Sequence, residues 1–243
     1  MALPIITVMK HELTLPSSGE KITFRPFLVR EEKLLMMALQ SGEAKDMIRG
    51  LKEIIVNCVD KDIKVDTLPP FDLEYIFLQL RARSVGDTIP INYSMPEEIC
   101  KNGKKECEFN IELNLDDIKV QKNKNHKDLI SLTDDIKIKM RYPDMEASAT
   151  MAGVEGTDVV NKTFDIIQQS IEYIMDGEEI HNLSDYTKKE ADDFLNSLST
   201  QQFKEIQTFF DTMPKLKHEI TAKCKVCGKE NEKVLEGMGD FFS

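Results

Sequence analysis

Cysteine is the residue type in this chain with the most pointed chemistry, and it occurs at Cys58, Cys100, Cys107, Cys224 and Cys227. Cys224-Lys225-Val226-Cys227-Gly228 has the spacing of a zinc knuckle. A tight turn there aims two thiolates at one metal, and the glycine that follows permits the backbone to turn. One knuckle supplies two of the four ligands of a structural zinc site, so Cys100 and Cys107 are the candidates for the other pair. Six residues lie between those two, where two to four are usual. Three readings stay open. The first is one structural zinc held by Cys100, Cys107, Cys224 and Cys227. The second is a decayed ribbon with unliganded thiols. The third is a redox pair, which no thioredoxin-like βαβ pattern surrounds. A site with four protein ligands leaves no open position for water, so it would be structural. The odd number of cysteines argues against a disulfide scaffold. Cys58 falls on an apolar helical stripe and reads as a core residue.

Other catalytic signals are missing. The phosphate loops G-x-G-x-x-G and G-x-x-x-x-G-K-[ST], the H-E-x-x-H pair and the G-x-S-x-G elbow do not occur. His11, His126, His181 and His218 stand in polar or loop-edge contexts and read as solvated. Asp116-Asp117, Asp134-Asp135 and Asp192-Asp193 are neighbours along the chain, and neighbours on a helix or strand point apart. Gly237-Met238-Gly239 follows the last expected strand and leads no helix in this reading. What remains to carry function is surface. Arg25 stands between Phe24 and Pro26 where a strand gives way to a helix, and Phe241 and Phe242 form an aromatic carboxy-terminal pair. These three are the candidate partner-binding residues.

The elements that would position these residues follow from periodicity. A hairpin opens the chain, with Val8 to Leu15 and Glu20 to Phe24 flanking the Pro16-Ser17-Ser18-Gly19 turn. Helical spacing covers Glu31 to Leu39, Ala44 to Val59 and, after Pro69-Pro70, Phe71 to Arg83. Alternating strands Thr88 to Tyr93 and Phe109 to Leu115 bracket a polar knuckle with Cys100 and Cys107. Gln121 to Lys127 has no apolar residue and reads as linker. Ile136 to Met140 alternates as a strand, and Ala147 to Gly156 reads as a loop. Asp158 to Met175 is the strongest helical pattern. Thr187 with Glu190 and Ser199 with Gln202 have capping-box spacing, so two more helices begin there. A strand near Glu219 to Lys223 leads into the second cysteine pair.

The two halves resemble each other. Each has a strand ending in an Arg beside a Pro, Phe24-Arg25-Pro26 and Met140-Arg141-Tyr142-Pro143. Each then runs through helices and closes with a cysteine-bearing hairpin. The expected fold is therefore α+β, with two related lobes, each carrying a zinc-ribbon-like cysteine hairpin, the two hairpins facing each other. The boundaries are 1–120 for the first lobe, 121–131 for a polar linker and 132–243 for the second.

Composition limits the function further. The 243 residues carry 32 Lys and Arg against 43 Asp and Glu, a net charge of −11, so nucleic acid is not an expected partner. With 41% hydrophobic residues the chain can fill a core. No apolar run reaches membrane-spanning length and the first ten residues lack a signal-peptide pattern, which points to a reducing cytosol.

Longer stretches carry a family resemblance. The segments TLPSSGEKITFRPFLVREEKLLMMAL, LPPFDLEYIFLQLRARSVGDTIPINY, MRYP and MPKLKHEITAKCKVCGKENEKVLEGMGDFF resemble the T4-type bacteriophage baseplate hub family, across nearly the whole chain. That family comprises the hub subunit and the hub assembly catalyst of contractile-tailed phages. The sequence departs from the family pattern at its first cysteine hairpin, where Ser94-Met95-Pro96 stands in place of a tighter C-x-x-C. The resemblance implies a late, non-enzymatic protein that binds baseplate hub proteins in the host cytoplasm during tail assembly, with the virion baseplate as a further location and self-association open. A zinc-ribbon adaptor or regulator that binds other cytosolic proteins is the alternative, and an enzyme with a dispersed site is the third reading.

Overall fold

The computed structural model describes residues 7–60, 63–95, 107–152, 159–224, 227–228 and 230–242. The chain begins with an antiparallel hairpin, β1 (His11–Thr14) and β2 (Lys21–Phe24). Gly19 takes φ 73° in the turn, where its N–H donates to the Leu15 carbonyl at 2.9 Å. Two helices follow, α1 (Val29–Ser41) and α2 (Ala44–Cys58), joined by Gly42 at φ 69°. The helices come close where Gly50 faces Ala38, since a Cβ at Gly50 would stand 2.9 Å from the Ala38 Cβ.

Helix α3 (Pro70–Ser84) is buried on most of its circumference, including Leu73, Ile76, Phe77 and Leu80. Asp72 in its first turn is fully buried and accepts the Ser17 N–H at 3.0 Å together with the Ser17 hydroxyl. A carboxylate at a helix start is favourably placed against the helix dipole, and here it also ties the β1–β2 turn to α3. Next come β3 (Thr88–Met95) and β4 (Cys107–Asn114), paired antiparallel from Thr88↔Asn114 to Met95↔Cys107, and the short β5 (Lys119–Gln121).

The second part of the chain forms a four-stranded antiparallel sheet in the order β6-β7-β8-β9. Its members are β6 (Leu129–Ser131), β7 (Ile136–Met140), β8 (Ile171–Asp176) and β9 (Glu179–Asn182). Helices α4 (Met145–Ala152) and α5 (Val159–Ser170) lie between β7 and β8 in sequence, and α6 (Lys188–Ser197) and α7 (Thr200–Asp211) follow β9. Ile138, Ile167, Leu195, Ile206 and Phe209 are central to this core. Both expected capping boxes are present, Thr187 with Glu190 and Ser199 with Gln202. The helix expected over 158–175 stops at Ser170, and Ile171 to Asp176 is a strand. Ile171 and Ile174 are both buried, an interval of three that reads as helical in the sequence, and the strand accommodates it through the register shift against Lys139 and Met140. The β-branched and aromatic content of Ile171-Glu172-Tyr173-Ile174 favours the strand. Residues 145–152 are helical, where the small residues from Ala147 to Gly156 suggest a loop.

The chain ends with β10 (Lys215–Lys223), β11 (Glu230–Glu236) and α8 (Gly237–Phe242). Strand β10 pairs with β11 on one side and β5 on the other. Two compact units result: 1–65, 71–121 and 215–243 form the first, and 66–70 with 122–214 the second. The mixed α+β class is as expected, but residues 215–243 belong to the first unit and not to a lobe 132–243. The physical reason lies in one shared core. Leu78 and Ala82 of α3, Ile89 and Ile91 of β3 and Leu113 of β4 cluster with Leu216, Ile220, Leu235 and Phe241 from the chain's end. A two-stranded hairpin cannot bury its apolar face alone, and the two hairpins bury each other's. The polar segment expected as a linker over 121–131 is also structured, since Gln121 lies in β5 and Leu129 to Ser131 form β6.

The ends of β2 and β7 are built alike. The Arg25 N–H donates to the Cys58 carbonyl at 2.9 Å and its guanidinium to the Asn57 carbonyl at 2.8 Å. The Arg141 N–H donates to the Ser170 carbonyl at 2.8 Å and its Nε to the Gln169 carbonyl at 2.7 Å. In each unit the arginine holds the last two carbonyls of a helix, α2 or α5, and the strand just before it pairs with the residue just after that helix (Phe24↔Val59 and Met140↔Ile171).

Candidate functional site

The cysteine hairpins come first, because their residue types suggested a metal. Tyr93 and Phe109 are cross-strand partners on β3 and β4 and stack with centroids 4.8 Å apart. Phe109 packs on buried Cys224, with Ala222 and half-buried Cys227 beside it. The Tyr93 hydroxyl stands 3.4 Å from Asn231 Oδ1, and Lys233 Nζ lies 5.0 Å from the centre of the Tyr93 ring. The two hairpins therefore lie side by side within the first unit. Gly228 takes φ 71° and donates its N–H to the Cys224 carbonyl at 2.9 Å. Cys100 lies outside the described residues, as does the side chain of Cys107, and among the described residues no group of three or more acidic, His or Cys side chains is placed to hold a metal.

Arg25 is committed within its own unit. Its guanidinium donates to Glu31 Oε1 at 2.9 Å and to the Pro26 carbonyl at 3.0 Å, besides Asn57. Glu31 is fully buried and also accepts the Leu28 N–H at 2.8 Å and the Arg30 guanidinium. Burial alone would push this carboxyl up; the bonds from Arg25, Leu28 and Arg30 bring it down instead, to about 2. The bond to Glu31 in turn raises Arg25. Nearby Cys58 is buried, and burial pushes its thiol up to about 11, which makes it inert as a nucleophile at neutral pH. Phe241 is buried in the first unit's core, and Phe242 lies in α8 with its side chain outside the described set.

His126 departs from the solvated reading. One ring nitrogen meets Thr212 Oγ1 and the other the Tyr142 hydroxyl, both at 3.0 Å, and the ring packs against Tyr142 and Phe209. Thr212 Oγ1 is 2.6 Å from the Thr208 carbonyl and must donate there, so the network assigns the imidazole proton to Nδ1 and leaves Nε2 to accept from Tyr142. Burial lowers the His126 pKa and holds the ring neutral.

The surface that sequence reasoning missed is on α1. Only Glu31 and Ala38 of that helix are buried, while Val29 is 67%, Met36 56%, Met37 67% and Leu39 52% exposed. At 100° per residue Val29 and Met36 share one line, with Met37 and Leu39 flanking it opposite the α2-facing side. Leu34 to Leu39 is six consecutive apolar residues. A run of that length covers every side of a helix, so part of it must face outward, and that was the available signal. Methionine adapts its shape to a partner and is common at contact surfaces.

Among the described residues no helix is long and apolar enough to cross a membrane. The family described as T4 bacteriophage base plate protein matches residues 8–243. No curated protein and no solved structure matches the chain.

Proposed function

The chain belongs to the T4 bacteriophage base plate protein family, and from that premise we propose that it is a non-enzymatic hub component or hub assembly factor of a contractile-tailed phage. It acts by binding other baseplate proteins during tail assembly in the host cytoplasm. The observation that carries this reading is the open face of α1. Val29, Met36, Met37 and Leu39 place apolar side chains in water on a helix already paired with α2 on its other side. Exposed apolar side chains gathered on one helix face are a feature of contact sites. Charge supports the same face. Residues 29–58 carry five Lys or Arg and five Asp or Glu, whereas the whole chain has a net charge of −11. A partner approaching α1 and α2 meets no net local repulsion from these residues.

An assembly factor of this kind works by differential affinity. It holds its partner in the state that joins the hub, and shifts that equilibrium by the difference in binding free energy between the two states. The test is genetic. Infection with the gene deleted is expected to give tails without hubs. The wild-type gene in trans restores them, and a folded Met36→Lys/Met37→Lys variant does not. Normal tails from the deletion would overturn the proposal.

A further inference from the structure

The second unit carries an unpartnered strand edge beside an apolar cavity. Strand β9 pairs only with β8 among the described residues, and it is the last strand of its sheet. Asp176 and Glu179 close a two-residue turn in which Gly177 takes φ 59°, as the first central position of a hairpin turn of this type demands. That closing pair exchanges both hydrogen bonds, so the next pair, Met175↔Ile180, exchanges none. The N–H and C=O of Ile180 therefore point away from β8, toward the open edge. The Ile180 side chain is 59% exposed. Natural edges are blunted by shortness, charge, proline or a bulge; β9 is short and carries one charge at Glu179, but Glu179-Ile180-His181-Asn182 has no lysine, proline or bulge.

A cavity of about 340 Å³ lies at the inner face of the same hairpin, with Ile136, Ile174, Leu183 and Phe194 among its walls and His181 of β9 at its lip. His181 is held there by a 2.7 Å bond between its Nδ1 and the Tyr186 hydroxyl. The surroundings are acidic. Asp176 and Glu190 line the cavity, and Glu178 and Glu179 stand in and beside the turn. The nearest lysines in sequence are Lys188 and Lys189, and Lys188 is paired with Asp165 at 2.7 Å.

We propose that β9 and this cavity together receive an extended segment of a partner protein, in which an apolar residue is flanked by Lys or Arg. The segment adds a fifth strand to the sheet through the Ile180 backbone groups. Its apolar side chain enters the cavity, and its cationic neighbours meet the acidic rim. Main-chain pairing supplies the affinity, and the pocket and the rim supply the selection. The inference rests on the groove's chemistry and is independent of the hub proposal.

The test uses the full chain and two ten-residue peptides, one alternating Lys with Val and Leu, the other carrying Glu in place of every Lys. Fluorescence anisotropy reads binding and amide chemical shifts locate it. The expected result is binding of the lysine peptide at least tenfold tighter than the glutamate peptide, with shifts confined to β9 and the cavity walls. Ile180→Pro removes the outward N–H and is expected to weaken binding at least tenfold. Glu178→Lys/Glu179→Lys alters only exposed side chains and is expected to weaken it at least threefold. Equal affinity for both peptides, binding unchanged in either folded variant, or a wild-type dimer that Ile180→Pro dissolves would each overturn the proposal.

Discussion

Arg25 and Arg141 each follow a strand, donate a backbone N–H to the last carbonyl of a helix and reach the preceding carbonyl with the guanidinium. Their surroundings then differ. Arg25 is joined to Glu31, a carboxylate with no exposure to solvent, and its own side chain is only 14% exposed. Arg141 is exposed, and its described bonds are to backbone carbonyls. One geometry thus serves two purposes. In the second unit the arginine caps a helix. In the first it also neutralises a buried charge, which fixes the start of α1 against the end of α2. This is the helix pair that presents Met36 and Met37, so the first corner positions the proposed contact face and the second does not.

Substitution separates the two corners. Arg25→Ala leaves Glu31 buried with its main partner gone, and should cost about 3–5 kcal/mol of unfolding free energy. Arg141→Ala removes one exposed bond and should cost about 1 kcal/mol. Urea titrations of both variants check the ranking, and equal losses would break the comparison. Acid sharpens it. Glu31 has its pKa depressed to about 2 from an ordinary 4.5, so its contribution is complete above about pH 4.5 and disappears as pH falls toward 2. The wild-type protein should lose about 3 kcal/mol from this group across that window. Glu31→Gln should flatten the curve there, whereas Arg141→Ala should leave its shape unchanged.

Two smaller effects follow. His126 is also depressed, by burial, so its contribution is complete above about pH 6.5 and falls as pH drops below that. His126→Phe keeps the packing against Tyr142 and Phe209 and should weaken the fall in stability just below pH 6.5, read by thermal unfolding at each pH. Met36→Lys/Met37→Lys should change stability by less than about 0.5 kcal/mol, because both side chains already face solvent.

Much of this was legible in the sequence where local rules decide. The capping boxes at Thr187 and Ser199, the start of α3 after Pro69 and the alternation within β3 and within β4 rest on spacing within a few residues. The Arg-Pro corners were legible as a repeated motif, although their carbonyl partners, 28 to 33 residues further along the chain, were not. Assignment of the last hairpin to the first unit was hidden, because Leu216 and Ile220 meet Ile89 and Leu113 only through tertiary packing. His126 misled for a related reason. Its neighbours in sequence are polar, but its neighbours in space are Tyr142, Phe209 and Thr212. The β9 edge left no sequence signal at all, since an edge is a property of the sheet's order and not of a strand's residues.

The central claim is that α1 grips other baseplate proteins. Its most direct test is affinity purification of the tagged chain from infected cells, before and after hub completion, for the wild type and for Met36→Lys/Met37→Lys. The account predicts that baseplate hub proteins co-purify in fixed proportion with the wild type and are lost from the folded variant. Equal recovery of those proteins with both chains, or no hub protein with either, would contradict it.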